Sequence, residues 1–139
     1  MNMSRTTNIL LVDDDAINVM NVRRAFERGQ IGNPIFHAED GLIALEMLRD
    51  GTIPAERRLV LLDLHMPRMS GIEFLRELRG DSALHTTLVV VFTASDDERD
   101  RAEAYRFNVA GYLIKPVCLA ACVELMTTLI RYWTLVEMA

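Results

Sequence analysis

The stretch 58-RLVLLDLHMPRMSGIEFLREL-78 contains a complete structural instruction. Residues 58–63 form an apolar, β-prone run that ends abruptly at Asp63, which reads as a strand buried on both faces. Seven residues later, Ser70-Gly-Ile-Glu73 has the spacing of a capping box and opens a helix, with Ile72, Leu75 and Leu78 on its inward stripe. Strand then helix is one half of a crossover unit, and the same alternation recurs outward in both directions.

Towards the N-terminus, 8-NILLVD-13 is a buried strand followed by a helix carrying Val19, Val22 and Phe26. The run 33-NPIFHAE-39 is more polar, and Pro34 cannot donate to a ladder, so it is expected at a sheet edge. Its helix is expected to bury Leu42, Leu45 and Leu48. Towards the C-terminus, 88-LVVVFT-93 is the most strand-like run, and Ser95-Asp-Asp-Glu98 is expected to cap the fourth helix. A fifth strand, 110-AGYLIK-115, precedes a long last helix from about Cys118, with Cys122, Met126, Leu129 and Trp133 along one side. Five strand–helix units predict an open α/β fold, a parallel sheet covered on both faces by right-handed crossovers. The widest connection, 49–58, reads as a surface excursion.

The chain has 139 residues, enough for one domain with one core, and 50% of them are hydrophobic. A net charge of −5 argues against general nucleic-acid binding. No apolar run approaches membrane-spanning length and the N-terminus has no signal-peptide pattern, so a cytoplasmic protein without membrane contact is expected. Cys118 and Cys122 are expected to be small core residues, having no partners for a zinc site. No Gly-rich dinucleotide fingerprint or Walker-type loop is present.

In open α/β sheets ligands bind beyond the carboxyl ends of the strands. Strand one ends in Asp13 and Asp14, strand three in Asp63, strand four in Thr93 and strand five in Lys115; strand two offers nothing comparable. Lys115 is the sole lysine among 15 basic side chains, so arginine does not serve there. A compact ammonium reaches one oxygen in a tight site where a guanidinium would crowd it. Clustered carboxylates either rise in pKa or recruit a cation; a hard divalent ion suits them, and Mg²⁺ takes one or two while keeping positions for water and phosphate oxygens. A carboxylate in such a site can act as a nucleophile towards a phosphoryl group.

Through 10-LLVDDD-15, 61-LLDLHMPRMSG-71, 91-VFTAS-95 and 112-YLIKPV-117, in this order, essentially the whole chain resembles a response-regulator receiver domain of two-component signalling. That resemblance implies a flavodoxin-like doubly wound (βα)5 sandwich with strand order 2-1-3-4-5, spanning residues 1–139 as a single receiver domain. It implies that Asp63 is the phosphoacceptor for a sensor histidine kinase. Asp14, Asp63 and the main-chain carbonyl of His65 would ligate Mg²⁺, with Mn²⁺ able to substitute, and Asp13 would help through water. Thr93, the main-chain N–H of Ala94, and Lys115 would bind the phosphoryl group, with Lys115 paired to Asp63 beforehand. Tyr112 matches the switch aromatic, and the output face would be helix four, strand five and helix five. His65 and Ser95 stand at positions that tune phosphoryl lifetime. Histidine there would either shield the phosphoryl group or position water, and the hypothesis follows that dephosphorylation varies with pH through its titration; a flat hydrolysis profile would count against it.

A narrower resemblance is to free-standing regulators partnered with phytochrome-type kinases. It rests on 31-IGNPIFHAEDGLIALEMLRDG-51, 79-RGDSALHTTLVVVFT-93 and the end 130-IRYWTLVEM-138. No output domain is expected after it, so the signal is expected to leave by contact with a downstream protein. Tyr132 and Trp133 have two readings, core packing or a homodimer or partner surface. Asp15 is read as a helix N-cap. His37 and His85 are read as structural. The protein is expected to be no enzyme beyond chemistry on its own phosphoryl group. Alternatives are a phosphotransfer-relay intermediate, a Mg²⁺-dependent small-molecule phosphatase, and a receiver-like module that is never phosphorylated. The phosphatase would need a cap insertion, and the unphosphorylated module would lack part of the acid, threonine and lysine set.

Overall fold

A computed structural model describes residues 6–138. The elements run β1 (Asn8–Val12), α1 (Ala16–Arg28), β2 (Ile35–Ala38), α2 (Gly41–Arg49), β3 (Arg58–Leu62), α3 (Gly71–Gly80), β4 (Leu88–Thr93), α4 (Glu98–Arg106), β5 (Gly111–Ile114) and α5 (Leu119–Leu135). The strands form one parallel sheet in the order β2-β1-β3-β4-β5, the flavodoxin-like arrangement. The polar strand β2 lies at an edge, as Pro34 suggested.

Alternation along the strands divides the core. Leu10 and Val12 of β1 point to the face covered by α2, α3 and α4, with Val60, Leu62, Val89 and Val91 beside them. Ile9 and Leu11 point to the other face with Leu59, Leu61, Val90 and Phe92, under α1 and α5. Both faces are covered, so each central strand is apolar except at one end, where Asn8, Arg58 and Thr93 stand. Phe74 of α3 is fully buried on the first face, and Met126 of α5 on the second.

Local differences from the sequence expectations have physical causes. Leu42 is 50% exposed, because α2 turns Gly41, Ala44, Leu45 and Leu48 inward at i, i+3, i+4, i+7 spacing. Gly41 permits that rotation, since a side chain there would run into Met69. Helix α4 is capped by Asp97, whose side chain accepts from the Arg99 amide, and not by Ser95. Cys118 is the exposed residue preceding α5, while Cys122 is buried. The 49–58 excursion is pinned by Ile53, which is fully buried, and by Arg58, which donates to the carbonyls of Leu48, Ile53 and Pro54. Asp15 caps α1 and the Ser70–Glu73 capping box is complete.

Candidate functional site

The strand order reverses at β1, so the crevice beyond β1 and β3 is where the topology leaves room for a ligand. Ladder hydrogen bonds carry the chain one residue past each strand and fix what projects there. The Asp13 amide donates to Ala38 O, the Asp63 amide to Val12 O, and the Lys115 amide to Thr93 O. Asp13, Asp63, Thr93 and Lys115 are therefore held on rigid backbone.

Their side chains converge. Asp13, Asp14 and Asp63 each bring a carboxylate oxygen to within 4.8 Å of the others. Asp13 and Asp63 are buried, and Asp14 is exposed at the mouth. The Thr93 hydroxyl donates to Asp63 Oδ1 at 2.9 Å. Lys115 Nζ lies 2.7 Å from Asp13 Oδ2 and 3.4 Å from Asp63 Oδ2, so the ammonium serves both acids and sits nearer the first. Burial pushes the Asp13 carboxyl above the ordinary aspartate range, and the neighbouring Asp63 charge adds to this. The bonds from Lys115 and the Asp15 amide offset only part of it. All the donor atoms are hard oxygens with net negative charge, which suits an octahedral divalent cation such as Mg²⁺ or Mn²⁺ and not a thiolate-seeking metal. The His65 amide reaches back to Asp63 Oδ1 at 3.4 Å, which places the His65 backbone at the same crevice. Exposed Ala94 follows Thr93 at its rim.

The family model of the response regulator receiver domain matches residues 9–127. The chain belongs to the response regulator receiver domain family. The receiver is 36% identical over 127 residues to a probable methanogenesis regulatory protein, FilR2, of Methanothrix harundinacea, covering 90% of this chain and 82% of that one. It superposes on the phosphorylated cyanobacterial phytochrome response regulator RcpA with a TM-score of 0.84 at 25% identity, covering 95% and 97% of the two chains. It superposes on the Mn²⁺-bound form of response regulator Rcp1 with a TM-score of 0.80 at 29% identity, covering 96% and 99%.

Around the crevice, the receiver contains supports that strand-end reading does not reveal. His37 of β2 donates from Nε2 to the Asp13 carbonyl at 2.8 Å, so the edge strand contributes a brace to the acidic turn. Buried Asp40, the N-cap of α2, pairs with Arg68 from the loop after β3. Burial alone would raise the Asp40 carboxyl, but the Ile43 amide and Arg68 outweigh it and hold it below the ordinary range. Gly71 donates to Leu64 O at 2.9 Å and packs its bare Cα against the Asp63–Leu64 backbone.

Asp100, on the first turn of α4, carries no distinguishing signal in the sequence. Its Oδ2 accepts from the Ser95 hydroxyl at 2.5 Å and from His65 Nε2 at 3.0 Å. Acids at a helix start look like dipole complements, and only the fold shows that this one spans two loops. The half-buried Tyr112 donates its hydroxyl to the Ser95 carbonyl at 3.0 Å, and Arg101 lies 5.9 Å from its ring centre. Burial raises the Tyr112 hydroxyl above its ordinary value. Trp133 is buried in the core while Tyr132 is 59% exposed, their rings meeting edge-to-face at 5.1 Å. The two readings thus divide, Trp133 packing the core and Tyr132 remaining at the surface. Among the described residues, no helix is long and apolar enough to cross a membrane.

Proposed function

We propose that this receiver is a phosphoacceptor switch in which Asp63 takes a phosphoryl group from the phosphohistidine of a sensor histidine kinase. The observation carrying this reading is the arrangement around Asp63, with Oδ1 held by Thr93, Oδ2 facing Lys115, and Asp13 and Asp14 alongside. Mg²⁺ bound by Asp14, Asp63 and the His65 carbonyl, with Asp13 assisting through water, would neutralise charge on the oxygens of the group in transit. The Asp63 carboxylate attacks phosphorus as the bond to the donor nitrogen breaks, giving an aspartyl-phosphate. Lys115, already between Asp13 and Asp63, moves its contact to a phosphoryl oxygen. The Thr93 hydroxyl and the Ala94 amide take others. Release of Thr93 from Asp63 frees Tyr112 to turn, which alters the surface of α4, β5 and α5 for a downstream protein.

Support for the metal comes from the all-oxygen donor set and from the Mn²⁺-bound neighbour Rcp1. Support for phosphorylation and for a phytochrome-type kinase comes from the likeness to phosphorylated RcpA. In this reading the protein turns over nothing but its own aspartyl-phosphate.

Incubation with acetyl phosphate and Mg²⁺ should raise the intact mass by one phosphoryl group. The gain should vanish in Asp63→Asn and on chelation of the metal. An undiminished gain in Asp63→Asn would contradict the reading.

A further inference from the structure

Asp100 has no part in the acceptor chemistry just described, yet one of its oxygens is the meeting point of two loops that frame the crevice. Ser95 comes from the segment between β4 and α4, and His65 from the segment between β3 and α3. Both donate to the same Oδ2. The hydrogen bond from Ser95 holds its carboxyl below the ordinary aspartate range, with His65 contributing, so Asp100 is an acceptor only. The helix does not need this bridge for its own start, because Asp97 caps it.

Besides Thr93 and Lys115, which already touch Asp63, the bridge engages two further donor side chains on the loops beside it. His65 is two residues beyond Asp63, and its amide already reaches that carboxylate. Ser95 is two residues beyond Thr93, its amide 3.5 Å from the Thr93 hydroxyl and its carbonyl under the Tyr112 hydroxyl. While Asp100 holds both side chains, neither the imidazole N–H nor the serine O–H is available to a phosphoryl oxygen. Phosphorylation has to compete with a charge-assisted pair of bonds for those donors.

We propose that Asp100 is a positioning residue, a latch that ties His65 and Ser95 to the first turn of α4 and so biases the receiver towards its unphosphorylated state. This rests on Asp63 being the phosphoacceptor. When the latch opens, two donors turn towards the phosphoryl group and α4 loses its tie to both loops. The latch thereby links phosphoryl lifetime to the position of α4.

The experiment measures decay of aspartyl-phosphate after acetyl phosphate removal in wild type, Asp100→Ala and Asp100→Asn. Asp100→Ala frees both donors, and one further net hydrogen bond to the phosphoryl group lengthens its lifetime by roughly three- to tenfold. Asp100→Asn keeps an acceptor oxygen for the latch, so its lifetime stays within about twofold of wild type. In a His65→Ala/Ser95→Ala background, Asp100→Ala adds nothing. A lifetime unchanged or shortened in Asp100→Ala, or equal lengthening by Asn and Ala, overturns the latch. Nitrogen NMR of the His65 ring in unphosphorylated wild type supplies a separate reading that needs neither the variants nor phosphorylation. The latch requires hydrogen on Nε2, and an Nδ1–H tautomer at neutral pH overturns it even if Asp63 is phosphorylated normally. Failure of wild type to take up phosphate would instead defeat the acceptor reading, with the ring tautomer still judging the bridge.

Discussion

Gly71→Ala is the smallest change that should damage the site without touching a polar group. A Cβ at residue 71 would lie 2.6 Å from the Asp63 carbonyl oxygen and 2.6 Å from Leu64 Cα. Both are backbone atoms, about 0.8 Å inside the 3.4 Å at which such contacts become ordinary. No side-chain rotation relieves the clash, so either α3 or the Asp63–Leu64 peptide has to move. Overpacking of this kind costs roughly 1–3 kcal/mol, and at this chain length each kcal/mol lowers Tm by about 2–4 °C. The local consequence is larger. A displacement approaching 1 Å at a reacting group costs on the order of a hundredfold in rate, and the segment that shifts carries Asp63 and leads to His65. Phosphorylation by acetyl phosphate, followed by intact mass, should slow roughly ten- to hundredfold, while circular dichroism at 25 °C stays native. Wild-type rate and wild-type Tm together would refute the reasoning, since they would mean that α3 does not press on the strand end.

Lys115→Met leaves buried Asp13 without its counter-charge, so metal-free stability should fall by on the order of 3 kcal/mol. Mg²⁺ should then raise Tm more in this variant than in wild type, and an equal or smaller rise in thermal melts would count against shared use of the crevice. Asp40→Ala removes an N-cap and orphans Arg68, with an expected cost of about 0.5–2 kcal/mol in urea titrations at pH 7. Because folding lowers the Asp40 carboxyl below 3.8, its contribution is present above that value and lost as pH falls through the folded-state value. The wild-type advantage should therefore shrink as the solution is acidified, and a gap that widens in acid would contradict it. Phe74→Ala should cost roughly 3–5 kcal/mol by chemical denaturation, since this α3 ring is fully buried in the core it shares with α2 and the sheet; a loss below 1 kcal/mol would mean the core closes over the cavity.

The sheet was readable because strands covered on both faces are apolar along their length, as in 88–92, and because Asp15 and the Ser70–Glu73 box mark helix starts with capping side chains. The chemical residues were readable for a related reason, since parallel strands bring their ends to one edge and so collect Asp13, Asp63, Thr93 and Lys115. What stayed hidden were contacts that depend on neither period nor topology. His37 braces a main-chain carbonyl, which leaves no trace in residue type. Asp100 looks like any acid at a helix start until the loops are folded around it. The outward turn of Leu42 follows from a glycine packing against Met69, a matter of side-chain volume between α2 and the loop that precedes α3.

The central claim is that one carboxylate in the crevice receives a phosphoryl group. Borohydride reduces an aspartyl-phosphate to homoserine and so marks its position permanently. After treatment with acetyl phosphate and Mg²⁺, peptide sequencing by mass spectrometry should find homoserine at residue 63 and leave residues 13 and 14 as aspartate. Homoserine at either of those positions, or none anywhere, would contradict the account.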